Sequence, residues 1–351
     1  MSAASTSPVT GGVLAVHAHP DDETLTSGAL LATWAAAGLP ALVVTCTRGE
    51  RGEVIGAPLA HLEGDGPALA RHRETELAAA LRALDATGLL LDTLPLPEGD
   101  ETAVLGRSGG RRPPTAALSS SGAGRYEDSG MDWVGVGRAG AAAEVPAGAF
   151  VGVPLDEGAG RLAGLLRVRR PDLVVTYEPG GGYGHPDHVR AHEVTMRAVA
   201  LAADPAWAPA VAWAVQEPGA LRAGYAALAA DPAARAVLDA AAGDRRGTRQ
   251  GPLVLPDPAG PLPSVAAAGE PDLVVDVRPV RDRVLAALRA HATQVQAVTA
   301  LDHPAAVACQ ALSNLVLAPV LPAEGYRWAP GYAPAGPLPL PPGVTRPHPR
   351  T

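Results

Sequence analysis

At 351 residues the chain has room for one large α/β domain or two smaller ones, and a hydrophobic content of 47% is enough for a buried core. A net charge of −8, with no lysine among the 28 basic residues, argues against a nucleic-acid binder, and two cysteines, Cys46 and Cys309, are too few for a disulfide framework. No apolar run reaches the roughly 18–20 residues of a membrane span, and residues 1–12 lack the basic start and apolar core of a signal peptide, so a cytoplasmic protein without membrane partners is expected.

The apolar run 13–18 reads as a short buried strand, followed by an Ala- and Leu-rich helix over 24–37 that stops before Gly38-Leu39-Pro40. Residues 41–47 form a second strand, 48–56 a polar glycine-bearing loop and 68–84 a helix with Leu69, Leu77, Leu81 and Leu84 on one face. Leu89–Leu94 is a third strand candidate. From about 95 to 124 proline, glycine, serine and arginine dominate, the composition of a flexible insertion. The α/β rhythm returns with a helix at 157–169, a strand at 172–178, a helix at 187–203 and a strand at 211–216. Residues 217–270 stay ambiguous, 273–277 reads as a strand and 279–293 as a helix, and the proline-rich tail from about 327 reads as irregular. Strands alternating with helices imply one α/β domain over 1–351, a mostly parallel sheet flanked by helices, with ligands bound beyond the carboxyl ends of the strands.

Two strand ends carry the same chemistry. After the first strand comes His19-Pro20-Asp21-Asp22-Glu23, and after the strand at 172–178 comes Tyr183-Gly184-His185-Pro186-Asp187-His188. Two imidazoles and a carboxylate, His19, Asp22 and His188, suit a divalent metal and leave a fourth position for water. Taken singly, His19 also reads as a packed histidine and Asp22 as a helix N-cap; two such loops together point to one metal site. Asp21, beside a ligand, is the candidate general base for the attacking water, with a solvent-facing turn aspartate as the plain alternative. His185 and Asp187 read as a pair in which the carboxylate favours an imidazolium able to steady an oxyanion or protonate a leaving amine. The Tyr183 hydroxyl, in a glycine run, can swing toward the same oxyanion or simply pack. Gly180-Gly181-Gly182 is not read as a phosphate loop, since no Gly-Lys-Ser/Thr accompanies it.

These residues resemble the zinc-dependent N-acetylglucosaminyl deacetylases of the PIG-L/LmbE type. Within them the chain is similar to the actinobacterial branch that acts on N-acetyl-glucosaminyl-inositol in mycothiol biosynthesis. The matching segments are His17–Glu23, Val44–Thr47, Gly52–Gly56, Arg125–Met131, Gly181–His188 and His291–Val295. The resemblance implies a Rossmann-like fold, one Zn2+ per subunit, with Fe2+ as the competing ion, and hydrolysis of an acetamide on a small amino-sugar inositol. It carries zinc ligation onto His19, Asp22 and His188, the base onto Asp21, the acid or electrostatic partner onto His185 with Asp187 behind it, and the mobile hydroxyl onto Tyr183. It also carries inositol binding onto Arg73 and Asp128, which otherwise read as an exposed helix arginine and a turn aspartate.

Three rivals stand beside this reading. A mycothiol S-conjugate amidase shares the zinc motifs, but typically has a lysine soon after Asp-Asp-Glu, where this chain has Thr24-Leu25-Thr26-Ser27-Gly28. A deacetylase of another amino sugar has the same site. A non-catalytic sugar binder predicts a broken ligand set. Nothing in the sequence bears on oligomeric state.

Overall fold

The computed structural model describes residues 11–96, 125–135, 138–243, 251–262 and 270–347. In chain order these form β1 (Val13–His17), α1 (Asp22–Ala36), β2 (Ala41–Thr45), α2 (Gly66–Leu84), β3 (Thr87–Leu90), β4 (Met131–Gly135) and β5 (Arg138–Ala141). There follow α3 (Leu155–Arg169), β6 (Leu173–Tyr177), the single turn α4 (Gly181–Gly184), α5 (Pro186–Ala202), β7 (Ala210–Val215), α6 (Pro218–Ala230) and α7 (Pro232–Gly243). The chain closes with β8 (Leu273–Asp276), α8 (Arg281–Ala290), β9 (Gln296–His303), β10 (Ala306–Ala311), β11 (Leu317–Val320), β12 (Ala323–Trp328) and β13 (Val344–Thr345).

The main sheet runs β13-β8-β12-β7-β6-β1-β2-β3. Its β7-β6-β1-β2-β3 half is parallel, as expected; β12 and β13 pair antiparallel with their neighbours. The inner strands β1, β2 and β6 are mostly apolar and buried along their whole length because both faces are covered, whereas β3 at the sheet edge is half-buried to exposed. Alternate residues of β1 point to opposite sides: Val13 and Ala15 pack with α1, α2 and α8, while Leu14 and Val16 pack with α3 and α5. From β1 the chain moves outward to β2 and β3, then crosses back to β6 and β7 on the other flank. The order therefore reverses between β1 and β6, and open α/β sheets bind ligands in the crevice at that point. Both histidine-bearing loops leave the carboxyl ends of these two paired strands.

Several expectations are corrected. The third strand lies two residues earlier than read and gives way to a 3-10 turn at Leu91–Thr93, where Leu91 turns into the core. The ambiguous stretch after 217 contains α6 and α7. The helix expected to reach 293 ends at Ala290, because His291 turns inward to a buried carboxylate. The tail starting at about 327 is not wholly irregular. Arg327 and Trp328 finish β12, which lies between β7 and β8, and Val344–Thr345 pairs with β8. A separate sheet, β11-β10-β9, had no counterpart in the sequence reading. Of the expected insertion at 95–124, residues 97–124 lie outside the described residues. Among the described residues no helix is long and apolar enough to cross a membrane, and Cys46 and Cys309 are free and buried.

Candidate metal centre and active site

The loop after β1 holds a strained turn. Asp21 has φ of 109°, a region that residues with a Cβ rarely occupy, at a typical cost of about 1–3 kcal/mol. Three contacts from two side chains hold it there. Glu23 Oε2 accepts from the Asp21 amide at 2.9 Å, the Arg73 guanidinium donates to the Pro20 carbonyl, and Arg73 Nη2 lies 3.3 Å from Asp21 Oδ1. Arg73 is therefore not an exposed helix arginine. It is 3% exposed and its second nitrogen, Nη1, donates to Gly49 O at 2.7 Å. Gly49 is required there, since a Cβ would stand 2.0 Å from Nη1. Asp21 itself takes the N-cap position of α1, so Asp22 is a helix residue and not the cap.

The ligand candidates converge on one carboxylate oxygen. Asp22 Oδ2 lies 3.3 Å from His19 Nδ1 and 3.3 Å from His188 Nε2, and accepts from the His19 amide at 2.9 Å. His188 Nδ1 donates to Gly181 O at 3.2 Å, which leaves Nε2 as a buried lone pair without a hydrogen-bond partner. A lone pair and a carboxylate oxygen facing each other at 3.3 Å mark a place for a cation. That spacing also matches the edge of a tetrahedron with metal–ligand bonds of about 2.0–2.1 Å. The donor set fits a divalent ion. Tyr177 fixes the His188 plane, its ring stacked at 4.2 Å and its hydroxyl held by the Ala18 amide. Gly181 lets the loop double back, since a Cβ would meet Val189 N at 2.8 Å and His188 Cβ at 2.9 Å.

Around this core the electrostatics are lopsided. Burial disfavours charge on His19, but Asp128, Asp187 and Asp22 outweigh it and raise its pKa well above the usual imidazole value. Asp21 is pushed up to about 6, by burial and the neighbouring Asp22 charge against the pull of Arg73. That range suits a group which must take a proton near neutrality.

His185 belongs to the same cluster. Ligand atoms of His19, His185 and His188 lie within 4.8 Å of one another, as do those of His19, Asp128, His185 and Asp187. The expected side-chain pairing of His185 with Asp187 does not occur. The Asp187 carboxylate instead accepts from the Ser129 amide at 2.9 Å and faces His19 Nε2 at 3.2 Å. His185 Nδ1 accepts from the Asp187 amide at 3.1 Å, so its proton sits on Nε2. Burial and the two neighbouring imidazoles push His185 down to about 2, so it is a neutral donor and not an imidazolium.

Tyr183 sits edge-on to His188, centroids 4.9 Å apart, and burial holds its hydroxyl protonated. Asp128 is a turn aspartate, as it reads, but a buried one that also faces the cluster. It is 4% exposed, accepts from Gly130 N at 2.8 Å and stands 3.6 Å from His19 Nε2. Two residues had no assigned role in the sequence reading. One is Tyr177, at the end of a strand beside the motif; the other is His291, whose Nε2 lies 2.7 Å from Glu23 Oε1.

The family model for PIG-L, GlcNAc-PI de-N-acetylase, matches residues 14–199, the span that contains both histidine loops. The chain is 42% identical over 325 residues to a 1D-myo-inositol 2-acetamido-2-deoxy-alpha-D-glucopyranoside deacetylase of Kineococcus radiotolerans, covering 92% of this chain and 78% of that protein. A protein of the same description from Nocardia farcinica is 40% identical over 338 residues, covering 94% of each chain. Another from Streptomyces avermitilis is 37% identical over 326 residues, covering 90% of each.

Proposed function

We propose that this chain, which belongs to the PIG-L family of GlcNAc-PI de-N-acetylases, hydrolyses the acetamide of 1D-myo-inositol 2-acetamido-2-deoxy-α-D-glucopyranoside to acetate and the free amine, in mycothiol biosynthesis. The observation that carries the reading is the unpartnered His188 Nε2 facing Asp22 Oδ2 beside the strained Asp21 carboxylate. His19, Asp22 and His188 are the proposed ligands, and Zn2+ the proposed ion, with Fe2+ as the alternative that the same nitrogen and oxygen donors accept. A bound divalent ion polarises the amide carbonyl and acidifies water.

The side chains then divide the work. Asp21 takes the proton from the attacking water and passes it to the leaving amine. His185, carrying its hydrogen on Nε2, donates to the oxyanion that develops on the carbonyl; Tyr183 is a second donor. Asp187 holds the far nitrogen of His19 and so its ring plane. Asp128 and Arg73 are the proposed contacts to the inositol hydroxyls; Asp128 faces His19, and Arg73 reaches the site through Asp21 and Pro20. A cytoplasmic location is part of the proposal, and the two free thiols are compatible with it.

The test is acetate release from the acetylated glucosaminyl-inositol by purified enzyme, chelated and then resupplied with Zn2+ or Fe2+ under exclusion of oxygen. Metal-restored release, faster than cleavage of a mycothiol S-conjugate, is the expected result. Cleavage of the conjugate alone moves the function to the amidase. Turnover of neither, with metal bound, defeats the assigned substrate.

A further inference from the structure

Helix α1 is two helices. Ser27, with φ of −141° and ψ of 20°, breaks it between the turn that carries Asp22 and the longer segment that packs in the core. Each segment downstream of a break has its own N-terminus, with amides that lack helical acceptors. Counting Ser27 as the new N-cap, Ala29 and Leu30 occupy the second and third helical positions, whose amides a cap side chain normally satisfies. The Ser27 hydroxyl does not do this. It donates to Glu23 O at 3.0 Å and faces His17 Nε2 at 2.8 Å.

The missing cap comes from a strand almost 300 residues away. Glu324 of β12 accepts from Ala29 N at 2.7 Å through Oε1 and from Leu30 N at 2.8 Å through Oε2. Two residues on, and so on the same side of the strand, Tyr326 contacts both Glu324 Oε2 at 2.7 Å and Thr26 O at 3.2 Å, on the other side of the break. The strand thus splints the two halves of α1. No cation accompanies this carboxylate among its described partners. The carboxyl group is half-buried, and the positive end of a helix favours an acceptor there.

We infer that Glu324 is a positioning residue for the metal centre: by capping the broken α1 from β12 it sets the angle at which the first turn presents Asp22 to His19 and His188. The inference rests on the proposed metal centre. Wild-type binding of Zn2+ tests that centre, and the difference between variants tests Glu324.

The experiment titrates metal-free wild type, Glu324→Ala, Glu324→Gln and Leu31→Ala with Zn2+ against a chromogenic chelator. Amide hydrogen exchange over residues 22–30 is followed in the metal-free proteins. Leu31→Ala removes a buried side chain from the core half of α1 and so reports on general loosening of the helix. Glu324→Ala is expected to weaken Zn2+ at least tenfold and to speed exchange at 22–30, with α5 unchanged. Glu324→Gln offers one carbonyl oxygen where two acceptors are needed, and is expected to fall between. Its milder change keeps the test open should the alanine variant not fold. Zn2+ affinity within twofold of wild type in a folded Glu324 variant, or an equal loss in Leu31→Ala, overturns the inference. Unchanged exchange at 22–30 overturns it independently of any metal.

Discussion

Glu23 Oε1 and His291 Nε2 lie 2.7 Å apart, both side chains fully buried, although 268 residues separate them in the chain. Burial raises the Glu23 pKa, but His291 overrides this and holds the carboxylate below its usual range; burial lowers the His291 pKa, and Glu23 lifts it above its usual value. The other oxygen of Glu23 accepts from the Asp21 amide, so the pair buttresses the strained turn of the proposed base. Removing one partner of a buried pair leaves an uncompensated charge and typically costs about 3–5 kcal/mol. His291→Ala is therefore expected to lose stability of that order in urea denaturation and to lose turnover with it. An unchanged midpoint refutes the buttress.

The strain at Asp21 separates stability from activity. Asp21→Gly relieves the positive φ and is expected to raise the melting temperature while abolishing acetate release. Asp21→Asn keeps the shape and is expected to lower kcat by about 10²–10⁴-fold, the usual worth of a general base. Metal content of both variants, measured by atomic emission, should match wild type. Near-normal turnover in either removes Asp21 from the reaction.

His188 and His185 are both in the cluster proposed to hold the ion, yet of the two only His188 has an unpartnered buried nitrogen aimed at Asp22. His188→Ala is expected to lose stoichiometric metal. His185→Ala should retain it and lose kcat. Zn2+ at 100 times its Kd stabilises a folded protein by about 2.7 kcal/mol, so thermal shift on metal addition reads both variants without substrate. Metal loss in His185→Ala alone assigns the ligands differently.

Glu324 predicts a pH dependence. Burial, against the hydrogen bonds from Ala29, Tyr326 and Leu30, pushes its pKa up to about 7 from an ordinary 4.5. The native state then holds a proton that the unfolded chain releases between those values. Stability from this group is fully present below pH 4.5 and is lost as pH rises through 7. Glu324→Gln carries no such proton. The gap in urea midpoint between wild type and Glu324→Gln should narrow from pH 4.5 to pH 8. A constant gap means that Glu324 titrates normally.

What was legible in the sequence was local. Runs such as Val13–His17 and Leu173–Tyr177 read as buried strands, because helices on both sides of a parallel sheet demand continuous apolar side chains. The ligand types of the two histidine loops were legible for the same reason, each within a few residues of a strand end. The strands from β9 to β12 were not: β9, β10 and β11 form an antiparallel meander in a second sheet, and β12 finds its partners in β7 and β8, one of them more than 100 residues earlier. Only the tertiary structure turned Asp187 away from His185 onto His19, buried Arg73 beneath Asp21, joined His291 to Glu23 and brought Glu324 to the break in α1. Residue types and helical periods describe what a segment can do alone. Which carboxylate meets which imidazole depends on side chains brought together across the sheet, where burial removes water as the alternative partner and leaves each buried charge to find a protein one.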